Sequence, residues 1–74
     1  MAWFTYTISS EKPVELLNVN GFRNSVVERD IYMTDFVLAS VNSGEIRFWS
    51  HYRSEMEKLR RKLSDTSDMH VIGI

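Results

Sequence analysis

The chain has no cysteine, one proline and three glycines among its 74 residues. Without cysteine there is no disulfide framework and no thiolate zinc site, which excludes the small disulfide-stapled secreted class. One proline and scattered glycines leave no linker and no internal boundary, so we expect one compact domain over residues 1–74. The glycines stand too far apart to form a phosphate-cradling loop, and neither G-x-x-x-x-G-K-[ST] nor G-x-G-x-x-G occurs. No run approaches the roughly 20 apolar residues that span a bilayer. The opening MAWFTYTISS has no basic residue and no unbroken apolar stretch, unlike a signal peptide. The expected location is therefore cytoplasmic, with no membrane partner.

What is present suits a small folded domain: 43% hydrophobic, 26% charged and 12% aromatic residues. Phe4, Tyr6 and Ile8 alternate with Thr5, Thr7 and Ser9, the pattern of a half-buried strand. Pro13 lies at or beyond its end. Pro13 to Val19 reads either as a short strand or as irregular chain, and Asn20-Gly21 as a tight turn. Ser25 to Met33 alternates again and reads as a strand. From Thr34 to Phe48 two readings stand. One is a strand turning at Asn42-Ser43-Gly44 into a second; the other is a short helix capped by Asp35 and closed by Gly44. Trp49, Tyr52, Met56, Leu59 and Leu63 recur at helical spacing, so they predict an amphipathic helix starting at Ser43 or Ser50 and ending near Ser64. Ser64 to Asp68 reads as a polar turn. Met69 to Ile74 reads as a closing strand, placed by a crossover parallel to a neighbour. The expected class is α+β: a small, mainly antiparallel sheet of three to five strands, covered on one face by one long C-terminal helix and followed by that short strand.

The net charge of −1 conceals a polarity. Met1 to Ile46 carries three bases against six acids, whereas Arg47 to Ser64 carries six bases against two. The predicted helix is thus a local cation on an acidic body, and Arg53, Lys58, Arg60, Arg61 and Lys62 are the candidate contacts for an anionic partner. The plainer alternative is a solvated helix face whose last-turn bases complement the helix dipole. Two aromatic-rich regions add a second feature. Trp3 and Phe4 cannot share a strand face, so a small domain leaves a tryptophan partly exposed. Trp3 and Trp49 are the candidate apolar anchors, residues of the type that dominate protein interfaces. With Arg47 nearby they can alternatively stack single-stranded bases, or simply fill a small core.

Catalysis finds little support. The serines lie in no G-x-S-x-G elbow, and His51 and His70 are the two imidazoles available. His51 and Glu55 are spaced to share a helix face, but H-E-x-x-H is absent and two ligands make no tight metal site. No metal and no cofactor are expected. The function expected is a non-enzymatic protein-binding regulator or inhibitor of a bacterial or mobile-element kind. It would meet another protein's acidic surface through the cationic helix and a tryptophan anchor, or pair with itself as a homodimer. The alternative is a nucleic-acid-binding module using the same helix, although a pI near 6.1 is low for that class.

Overall fold

Alternation along the chain becomes one antiparallel sheet. The computed structural model describes residues 2–63 and 70–73. Its elements are β1 (Ala2–Ser9), α1 (Pro13–Val19), β2 (Arg23–Asn24), β3 (Ile31–Met33), β4 (Leu38–Asn42), β5 (Glu45–Ser50), α2 (Arg53–Lys62) and β6 (His70–Gly73). The sheet has six strands in the order β2-β3-β4-β5-β1-β6, and every bonded pair is antiparallel. The class is α+β as expected: β1 to β5 fall within the expected three to five strands, β6 is the closing strand, and α1 is a second helix beyond the one expected.

Register sorts the side chains into two faces, because successive residues of a strand point to opposite sides. Tyr6 pairs with Phe48, Ile8 with Ile46, and Phe48 in turn with Ala39. Tyr6, Phe48, Ile46 and Ala39 are buried beneath Leu17 of α1 and Met56 and Leu59 of α2, so both helices cover this one face. Phe48 packs its ring against Tyr6 at 5.1 Å and Phe22 at 5.7 Å, within the range of favourable tilted aromatic pairs.

Pro13 to Val19 is a helix, neither strand nor irregular chain. Pro13 occupies the first turn, where its missing N–H costs nothing, and Glu15 sits at the positive end of the dipole. The Asn20-Gly21 pair ends this helix and does not turn a hairpin. Gly21 takes φ +84°, its N–H donates to the Asn18 carbonyl at 3.2 Å, and the Phe22 N–H donates to Leu17 at 2.9 Å. That is a Schellman closure, completed by the apolar contact of buried Leu17 with buried Phe22.

The strand expected over Ser25 to Met33 shrinks to Ile31–Met33. The Ser25 hydroxyl accepts the N–H groups of Val27 and Glu28, and Asn24 donates its amide to the carbonyls of Arg29 and Ile31. These local bonds compete with a ladder and fold the segment into a loop that leaves Val26 and Val27 exposed. Of the two readings for Thr34 to Phe48, the hairpin is the one observed. Ser43 and Gly44 both take positive φ, +50° and +80°, as a two-residue type I′ turn requires.

The long helix is corrected to ten residues, Arg53–Lys62. Trp49 belongs to β5, where it pairs with Thr5 and Leu38. Tyr52 is the exposed N-cap residue. Neither Ser43 nor Ser50 caps the helix. Ser50 instead fixes the bend before it: its hydroxyl donates to the Phe36 carbonyl and accepts the Tyr52 N–H at 2.9 Å. β6 is bonded antiparallel to β1 and runs parallel to β5 one strand away, so the crossover places it parallel to the next strand but one, not to its bonded neighbour. The expected turn at Ser64 to Asp68, and the ends of the closing strand at Met69 and Ile74, lie outside the described residues.

Candidate functional site

The odd-numbered residues of β1 and β5 face away from both helices. Across the sheet they form rows fixed by register. One row runs Met33, Leu38, Trp49, Thr5, and the next runs Ile31, Ser40, Arg47, Thr7. A third, polar row holds Asn42, Glu45 and Ser9. Ile31, Met33, Leu38, Trp3 and Trp49 are all half-buried on this face, which no helix among the described residues covers.

Trp3 and Trp49 bound a concavity of about 410 Å³, floored by Thr5 and edged by Ser40 and Arg47. The two indoles are diagonal cross-strand neighbours, a placement that puts Cα atoms about 7–8 Å apart. Thr5 is buried, and its hydroxyl donates to the Phe48 carbonyl at 2.8 Å. The wall at Trp3 is stiffened by His51: the ring centroids lie 3.6 Å apart, and His51 Nδ1–H donates to the Ala2 carbonyl at 2.8 Å. His51 therefore precedes α2 and braces an aromatic wall; it does not share a helix face with Glu55. Among the described residues no group of three or more histidines and carboxylates is placed to hold a metal ion.

The cationic candidates stand on the other side of the sheet. Met56 and Leu59 turn inward, so the exposed bases of α2, Arg53, Lys58, Arg61 and Lys62, lie on its solvent side. Lys58 pairs with Glu55 at 3.2 Å and Arg60 with Glu57 at 3.6 Å. Arg60 is a packing residue: its side chain is 22% exposed and its guanidinium lies 5.9 Å from the Tyr6 ring centre. Arg53, Arg61 and Lys62 are exposed. The structure thus brings Trp3 and Trp49 together and separates both from Arg53, Lys58, Arg60, Arg61 and Lys62. Arg47, which sequence counting groups with the helix, belongs to the tryptophan face. It is exposed, and no ion pair joins it to any described residue.

A second groove, about 400 Å³, runs between α2 and the turn before β4. Its lining sets Asp35 and Glu55 against Lys58 and Lys62 around Phe36, so its charges balance within it. No helix among the described residues is long and apolar enough to cross a membrane. Comparison of the chain with protein-family models, with curated proteins and with solved structures finds no match. The functional reading therefore rests on the geometry of these faces.

Proposed function

We propose that this chain is a non-enzymatic protein that acts by binding another protein, and that its contact surface is the sheet face that no helix among the described residues covers. One observation carries the reading. Both helices cover the same side, leaving Trp3, Trp49, Leu38, Met33 and Ile31 half-buried around an exposed arginine on the other. A core of aromatic and aliphatic groups with an arginine is the composition of interface centres. The walls are held by cross-strand pairing and by the Trp3–His51 stack, so little ordering is required on binding. A nucleic-acid module using α2 is the weaker reading, because Lys58 and Arg60 are paired within the helix and the stacking aromatics are behind it.

The test is affinity capture from the native host followed by mass spectrometry, using the intact chain and two variants. Trp49→Ala should abolish capture of the partner, whereas Arg61→Glu with Lys62→Glu should leave it in place. The reverse pattern would move the site to the helix and refute the assignment.

A further inference from the structure

Resting on that reading, we infer that the sheet face takes a partner segment carrying a carboxylate flanked by apolar side chains. The apolar groups fill the concavity between Trp3 and Trp49, and the carboxylate meets Arg47. The argument starts from what covering this face would cost. Any occupant that shields the tryptophans also strips water from the adjacent guanidinium. A buried cation without a counter-charge is strongly unfavourable, so the occupant must bring an anion. The site is suited to receive one. Arg47 stands between Thr7 and Ser40 in register, so a forked donor is flanked by two hydroxyls. A guanidinium binds a carboxylate through two parallel hydrogen bonds.

The face selects against a second copy of the chain. Glu45 is the one carboxylate that a described strand carries on this side. A symmetric pairing of Arg47 with the other copy's Glu45 centres the contact on β5 between the two residues. It then centres on the polar row, with Trp49 about 10 Å from the axis and Trp3 beyond it, so the tryptophans lie at its margin and not at its centre. Single-stranded nucleic acid is also disfavoured. It needs a line of cations along its backbone. The other arginine on this face, Arg23, is held by Asp35 at 3.3 Å, and the α2 bases are behind the sheet.

The experiment uses the full chain labelled with ¹⁵N, and follows the two indole N–H signals and the Arg47 amide. The probes are acetyl-Leu-Asp-Phe-amide, its Asn counterpart, and an oligothymidylate of eight nucleotides. The Asp peptide should shift both indole signals saturably, with Kd about 1 mM, the scale of one ion pair and two small apolar contacts. The Asn peptide should bind roughly tenfold more weakly, and Arg47→Gln should equalise the two while the spectrum stays that of a folded chain. Equal binding of both peptides to the unmodified chain would overturn the inference. So would tighter, salt-sensitive binding of the oligonucleotide, absence of any peptide response, or concentration-dependent dimerisation that protects the indoles. Capture distinguishes the two levels of failure. If Trp49→Ala loses the partner and Arg47→Gln retains it, the face binds protein but not through a carboxylate; if Trp49→Ala retains it, the face itself is misassigned.

Discussion

Phe48 and Trp49 are adjacent in β5 and should have opposite roles, so substituting each in turn tests the two-face architecture directly. Phe48 is fully buried between Tyr6 and Phe22. Truncating such a phenylalanine costs about 3–5 kcal/mol through lost transfer energy and the cavity left behind. Stability for a chain of this size is on the order of 4–11 kcal/mol, so Phe48→Ala removes a large share of it. Trp49 is half-buried and its cross-strand neighbours are Thr5 and Leu38. Each such pair contributes roughly 0.2–1 kcal/mol, and the buried part of the indole adds transfer energy, so Trp49→Ala should cost about 2 kcal/mol. Urea titration followed by far-ultraviolet circular dichroism avoids any dependence on the tryptophan signal. With a slope of about 1 kcal/mol/M, Phe48→Ala lowers the midpoint by about 3–5 M and Trp49→Ala by about 2 M. Equal losses would mean that Trp49 lies in a covered core, and the reasoning that its face is open would fail.

The remaining expectations concern the turns and α2. Gly44 holds φ +80° with the Ser10 carbonyl oxygen 3.5 Å from where a Cβ would stand, so Gly44→Ala should cost about 1–2 kcal/mol and lower Tm by roughly 5–15 °C in calorimetry. Gly21 has open space around a φ of +84°, so Gly21→Ala should carry the conformational cost alone and Gly21→Asn should recover most of it. Arg60→Glu should destabilise by about 1–2 kcal/mol, through repulsion with Glu57 and loss of the contact with Tyr6. Arg61→Glu, on the exposed side, should stay within roughly 0.5 kcal/mol by the same urea titration.

Much of the fold is legible in the residues themselves, and the failures have physical causes. Phe4, Tyr6 and Ile8 mark β1 because the positions of that strand that face the helices are all large and apolar. β5 is harder. Its buried side reads Ile46, Phe48, Ser50, and the final serine breaks the apolar alternation although it is 1% exposed. Its hydroxyl is satisfied by the Phe36 carbonyl, a partner fourteen residues away that no local pattern announces. Trp49 and Tyr52 are meanwhile three apart, and extend the true helical spacing of Met56, Leu59 and Leu63 backwards by accident. α1 is invisible for another reason. Seven residues are too few to form a stable helix alone, so burial of Leu17 against the sheet decides the matter. For the candidate site, exposure of a tryptophan is predictable from Trp3 and Phe4 falling on opposite faces. That Trp3, Trp49 and Arg47 share one face depends on the β1–β5 register, which is a tertiary property.

The same register changes the meaning of the charge polarity. Along the chain, the bases from Arg47 onward form one cluster; in space, β5 and α2 divide it between the two sides of the sheet. The shortest dimension of the molecule is 20 Å. Screening at physiological ionic strength acts over about 8 Å, so the exposed Arg61 and Lys62 contribute little to the field at the tryptophan concavity. On the proposed reading, Arg47 is then the cation that governs what docks there. A partner docking on this face would desolvate one guanidinium beside the two indoles, which rewards a single well-placed carboxylate. A broadly acidic surface would gain from the helix side but would find no apolar anchor. Recognition of one carboxylate in an apolar frame also carries little ionic-strength dependence, unlike attraction to a basic helix. The anchors and the helix cations, which sequence reasoning joins into one site, therefore make physically separate demands, and the sheet face is the one that combines burial, preorganisation and a charge that no described residue answers.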